Sequence, residues 1–189
     1  MTEQDPAEAS AEGNQSSAVS GFVQGLLADP ASSDIPNPPF PPNLTGPELR
    51  HLETFDEMDL TVFSNAQWQR LQESHAEAVR VHWPDGHYTD GLDQHIADLA
   101  AMFAWAPDCH IHKHPVRIAK NNFTCVLGVI AGTFSQLMPD GKRGLIQPTG
   151  KSFSLNMATI GVWNSRGVMD EEFLYWDNQT LYTQIGVPQ

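Results

Sequence analysis

The sequence predicts an α+β domain in which helices come first and a long, strongly curved, mainly antiparallel sheet follows. Three observations carry this. Residues 45–105 place apolar side chains at helical spacing around one short alternating run, and residues 109–176 hold four long strand-like runs separated by turn signals. Gly128, Gly132 and Gly161 fall inside those runs, where kinks or bulges bend a sheet. A sheet of this length cannot be covered flat by three short helices, so it has to wrap around something.

Residues 1–20 are small, polar and acidic, with too little apolar surface to offset the entropy of ordering them. GFVQGLLAD (21–29) is a short amphipathic island, and the Pro-rich segment after it reads as an extended tether. Residues 1–44 are therefore read as an acidic, Pro-rich leader, largely disordered or extended, and 45–189 as one domain. Thr45 or Gly46 caps the first helix, with Pro47 in its first turn and Leu49, Leu52 and Phe55 at helical spacing. A second helix is expected from Asn65, with Trp68, Leu71 and His75 as its buried stripe. AVRVHW (78–83) alternates as a strand and closes on the turn PDG. Leu92, Ile96, Leu99, Ala100 and Phe103 share one face of a third helix over 92–105, which stops before Pro107. The strands 109–119, 123–134, 151–163 and 168–176 then form a meander joined by Asn121-Asn122, by MPDGKRGLIQPTG and by NSRG.

The chain has 189 residues, 40% of them hydrophobic, and a formal net charge of −13 with ten Lys plus Arg. Nucleic acid and anionic membranes both require a cationic surface, so neither is an expected partner. Eleven acids fall in residues 1–60 against the single Arg50, which places much of the imbalance in the leader. Cys109 and Cys125 are read as reduced thiols, although they could face each other on neighbouring strands. With no long apolar stretch and no basic, apolar signal-like start, the expectation is a cytoplasmic protein, and the sequons at Asn43, Asn122 and Asn178 then carry no weight. No phosphate loop, nucleophile elbow or H-E-x-x-H pair is present.

The element order, together with VHWPDG, APD, GTF, PTGKSF and the terminal EEFLYWD…QIG, resembles the SnoaL-like polyketide cyclase or ester cyclase family of the nuclear-transport-factor-2-like superfamily over roughly residues 45–188. The resemblance implies a cone-shaped fold with a pocket between sheet and helices, frequently in a homodimer paired through the sheet. It also implies ring closure by intramolecular aldol addition without metal or cofactor, using an aspartate at the position of Asp177.

Strand alternation puts Glu171, Phe173, Tyr175 and Asp177 on one face of the last strand and Glu172, Leu174 and Trp176 on the other. If the apolar Leu174 and Trp176 meet a partner subunit, the first face lines the cone. Asp177 among aromatic rings would then have a raised pKa suited to proton transfer. The plain alternative is that Asp177 caps the helical turn NQTLYTQ. His82 or Glu171 would position the acid, and the resemblance places the segment of Trp83 and His87 at the pocket mouth, with a satisfied strand-end His and a core Trp as the alternative. Phe103, Met157, Trp163, Phe173 and Tyr175 are candidate pocket walls, with core packing as the alternative for each.

His110, His112 and His114 share one strand face, yet they span roughly 13 Å, so at most an adjacent pair could meet one ion. No metal is therefore expected there, and the resemblance implies no cofactor. The functional expectation is a cofactor-independent acid/base enzyme of the cyclase type, acting on a small or medium apolar carbonyl compound. An isomerase or hydrolase using the same pocket, or a noncatalytic ligand-binding or scaffold protein, is the alternative.

Overall fold

Thr45 opens the first helix, α1 (Gly46–Glu57), with a capping box: its side chain accepts from Glu48 N, and the Glu48 carboxylate accepts from Thr45 N at 2.8 Å. The computed structural model describes residues 37–140 and 144–188; the island 21–29 and the rest of the leader before residue 37 lie outside them. Leu52 and Phe55 of α1 are fully buried. The helix then widens into a π-helical turn over Met58–Phe63, which buries Met58, Asp59, Val62 and Phe63.

The helix expected from Asn65 is a short 3-10 helix, Trp68–Glu73, that buries only Leu71. His75 is not on it. The first strand, β1 (His75–His82), begins there, three residues before the alternating run suggested, because His75 already pairs with Met169. β2 (Tyr88–Asp90) folds back on β1, and α2 (Leu92–Trp105) follows as its spacing predicts. The run 109–119 is two strands, β3 (His110–Ile111) and β4 (Val116–Lys120). Pro115, lacking a backbone N–H, stands in the break between them.

β5 (Phe123–Thr133) and β8 (Ser152–Trp163) form an unbroken antiparallel ladder from Phe123↔Val162 to Thr133↔Ser152. β9 (Met169–Tyr175) pairs antiparallel with β8 and parallel with β1, giving the order β2-β1-β9-β8-β5-β3, with β4 also on β5. The connection before β8 is itself a small hairpin, β6 (Met138–Asp140) with β7 (Gly144–Ile146). Gly161 of β8 serves close approach: a Cβ there would stand 2.5 Å from Met169 Sδ and 2.9 Å from Thr124 Oγ1.

The last helix, α3 (Asn178–Ile185), lies back on β8, where the Gln184 amide both accepts from Ser154 N and donates to Ser154 O. Val79, Val81, Val126, Ile130 and Phe134 of the sheet region join Leu52 and Phe55 of α1 in one core. Each such side chain contributes about 1.5–3 kcal/mol by leaving water. Residues 37–40 of the Pro-rich segment are held against this body. Asn37 Oδ1 accepts from His114 N, the Pro38 carbonyl accepts from Arg117, and the Phe40 ring lies under the Arg117 guanidinium. Among the described residues no helix is long and apolar enough to cross a membrane. Cys109 and Cys125 are both free, and burial pushes the Cys109 thiol up to about 12.

Candidate active site

Between the helices and the sheet lies an apolar cavity that receives Asp59 from the π-turn, His75 from β1, His95 from α2, and Thr159 and Glu172 from β8 and β9. Trp83, Met157, Leu174 and Trp176 are among its apolar walls. Its free volume is about 40 Å³, room for about three waters. Only Trp83, Met102 and Trp176 among the lining residues are more than marginally exposed.

The expected separation of faces on β9 is present, but the face that enters the cavity is the other one. Glu172 and Leu174 are buried and point inward with Trp176, while Glu171 and Phe173 are only partly covered and Tyr175 is 52% exposed. The apolar pair Leu174 and Trp176 packs into the chain's own interior, as an apolar stripe does when one sheet face is covered by helices.

Asp177 therefore does not reach the cavity. It is the exposed N-cap of α3, accepting from Gln179 N at 2.9 Å and from Thr180 Oγ1 at 2.5 Å. The Thr180 hydroxyl and the Gln179 amide hold its carboxyl below the ordinary range, the opposite of the raised value expected of a buried acid. His82 and Glu171 do meet, Nε2 to Oε1 at 2.7 Å, with His82 stacked on Phe173 at 4.2 Å. They meet on the outer face, away from the cavity.

Of the other expected wall residues, Trp83 and Met157 line the cavity. His87 is exposed and bonded to Asp85, with its ring parallel to Trp83. Phe103 packs edge-on against Phe63 and Trp68. Trp163 is core: its indole N–H donates to Thr124 Oγ1, and His51 stacks on its ring. Phe173 and Tyr175 belong to the outer face. The three histidines of HIHKH separate because the strand ends at Ile111. His110 and His112 stay together at the surface, and His114 turns fully inward.

Inside, His114 joins two helical acids. Its Nδ1 is 2.8 Å from Asp56 Oδ1 and its Nε2 is 2.9 Å from Asp59 Oδ2, while Arg117 pairs with the other Asp56 oxygen. Burial works against a charge on His114, but the hydrogen bonds it donates to Asp56 and Asp59 outweigh it and hold the imidazole up at about 9. Burial likewise pushes the Asp59 carboxyl up, against the pull of His114. The imidazole therefore keeps its proton at neutral pH and lies between the Asp56 and Asp59 carboxyls, with Arg117 balancing Asp56 behind it.

The second buried polar group is His75, His95 and Glu172. His75 Nδ1 is 2.9 Å from Ser74 Oγ, whose hydroxyl donates to Leu71 O. Burial draws His95 down to about 4, so it is neutral.

Sequence reasoning missed Asp59, His95 and Glu172, although a signal existed for each. Asp59 follows Leu52, Phe55 and Asp56 on the α1 stripe, and His95 stands between Leu92 and Leu99 on that of α2. Glu172 shares parity with the apolar Leu174 and Trp176.

A family model for SnoaL-like polyketide cyclases matches residues 53–185. Among solved structures, a protein from Jannaschia sp. CCS1 described as a SnoaL-like polyketide cyclase is similar at a TM-score of 0.68 and 16% identity, over 79% of this chain and 100% of that one. IdmH from Streptomyces antibioticus, described as a polyketide cyclase, gives 0.61 and 20% over 72% and 99%. An NTF2-like protein from Burkholderia pseudomallei K96243 gives 0.58 and 17% over 72% and 97%. Identities this low speak for the fold, a nuclear-transport-factor-2-like α+β architecture. No curated protein matches the chain.

Proposed function

Because this chain belongs to the SnoaL-like polyketide cyclase family, we propose that it is an acid/base enzyme of the cyclase type acting on a small apolar carbonyl compound, with Asp59 as its proton carrier. The observation that supports this reading is the Asp59–His114 pair, which brings a hydrogen-bonded carboxyl and imidazole to an apolar cavity and is backed by Asp56 and Arg117. Asp59 Oδ2 is committed to His114, which leaves Oδ1 for a substrate. With the imidazolium proton on His114, Asp59 acts as a carboxylate that takes a proton from the carbon beside a carbonyl. The resulting enolate carbon bonds to a second carbonyl carbon of the same molecule, and Asp59 returns the proton to the new alkoxide. Such assistance is worth on the order of 10²–10⁴-fold.

His75, His95 and Glu172, the other polar group of the cavity, would flank the ligand. A volume of about 40 Å³ favours a small ligand over an extended polycyclic one. The test is exchange of α-protons of small ketones into deuterated water, followed by NMR. The native protein should catalyse exchange, Asp59→Asn should slow it by about 10²–10⁴-fold, and Asp177→Ala should match the native rate. Equal exchange by the native protein and Asp59→Asn would remove Asp59 from the mechanism. Tight ligand binding without exchange would favour the noncatalytic binding protein.

A further inference from the structure

Three buried donors converge on a single point of the cavity wall. His75 Nε2 and His95 Nε2 stand 3.5 and 3.6 Å from the same atom, Glu172 Oε2. One donor atom from each of the three residues lies within 4.8 Å of the others. All three residues are 2–3% exposed, and neither His75 Nε2 nor Glu172 Oε2 has a hydrogen-bond partner.

These separations are too long for direct hydrogen bonds and too short for acceptors that ignore each other. Ser74 decides which side of His75 carries the proton. The Ser74 hydroxyl donates to Leu71 O at 3.1 Å, so its oxygen is left to accept from His75 Nδ1–H, and the Nε2 lone pair faces Glu172. A lone pair and a carboxylate oxygen then confront each other out of water. A proton shared by those two would draw them to hydrogen-bond distance and leave His95 unanswered, whereas a cation answers all three.

We propose that His75, His95 and Glu172 bind one divalent transition-metal ion of the Zn²⁺ class through the two Nε2 atoms and Oε2. In a tetrahedral site with bonds of about 2.0–2.2 Å, neighbouring donors stand about 3.3–3.6 Å apart, which the two separations from Oε2 match. Two imidazoles and one carboxylate are also the donor set of zinc sites that keep a fourth position open. The Ser74 contact to Nδ1 is the outer hydrogen bond that fixes a ligating histidine. The fourth position is left to the cavity that Asp59 lines, so an ion there would receive the carbonyl end of the ligand. In this the chain departs from the metal-free chemistry that the family resemblance implies.

The site rests on donor geometry and not on turnover, so it is tested without substrate. The full chain, stripped of metal with a chelator, is titrated with Zn²⁺ by calorimetry and with Co²⁺ by visible absorption. The expected result is one equivalent per chain, tetrahedral Co²⁺ bands and a Zn²⁺-dependent rise in the native melting temperature. His95→Ala and Glu172→Gln should each weaken binding by about 100-fold or more, and Ser74→Ala by about tenfold. His110→Ala with His112→Ala, which removes the surface pair, should leave binding unchanged. Absence of stoichiometric binding by the native chain overturns the proposal, as does binding that survives His95→Ala but is lost with His110 and His112. The native-chain measurements stand even if a variant fails to fold. The titration can fail while Asp59 still governs exchange, and the converse also holds.

Discussion

Asp177 accepts from Gln179 N and Thr180 Oγ1, so removing its carboxylate leaves the first turn of α3 uncapped. Asp177→Ala should lower the melting temperature by roughly 2–4 °C in a thermal scan. His114 gives a pH dependence whose sign follows from its raised value. Asp56 and Asp59 flank the ring, and Arg117 stands behind Asp56. Because the folded-state value of about 9 lies above the ordinary 6.5, the stabilisation is fully present below 6.5 and is lost as pH rises through 9. Urea unfolding from pH 6 to 10 should show stability falling across that window, with a limiting slope of about 1.4 kcal/mol per pH unit. His114→Asn should flatten it. The β9 side chains show what could be read at this scale. Alternation separated Glu171 from Glu172, but the choice of inward face needed knowledge of what covers the apolar one, and Leu174 and Trp176 are covered by the chain itself.

Glu48 ties an element to a turn. Its carboxylate accepts from Thr45 N at the start of α1 and from Asn121 N, at 2.7 Å, in the turn between β4 and β5. The Thr45 and Asn121 amides hold it down to about 2, so this contribution is present above its ordinary value of 4.5 and lost as pH falls through 2. Thr45→Ala should cost about 1 kcal/mol in chemical denaturation. Glu48→Ala should cost more, because it also leaves the Asn121 N–H without its acceptor. Long elements were legible because their periodicity repeats: α2, β5, β8 and β9 fall within a residue or two of their expected spans. Short ones were not. The π-turn at 58–63 and the 3-10 helix at 68–73 look like ordinary helix in an apolar stripe, and the split at Pro115 is hidden inside a run of β-favouring residues.

At the scale of the whole molecule, the layer arrangement followed from the order of elements and a pocket between sheet and helices was implied by the family resemblance, while the pocket's polar contents were legible from neither. Asp59, His75, His95 and Glu172 come from four separate elements, and only the parallel pairing of β9 with β1 brings the last strand beside the first. That pairing has no local signature. The cavity's boundary has a dynamic counterpart. The half-buried Trp83 and Trp176 meet edge to face at 6.3 Å, and each indole N–H is held by one bond, to Thr89 Oγ1 and to Asn178 Oδ1. A ligand larger than a few waters has to wait for those rings to part. In stopped-flow tryptophan fluorescence, the observed association rate should therefore climb with ligand concentration and then level off at a ceiling belonging to the protein alone. Thr89→Val, which frees the Trp83 indole, should raise that ceiling. The clock for binding would then be set by two hydrogen bonds on the outer skin of the cavity, neither of them made by Asp59 or His114.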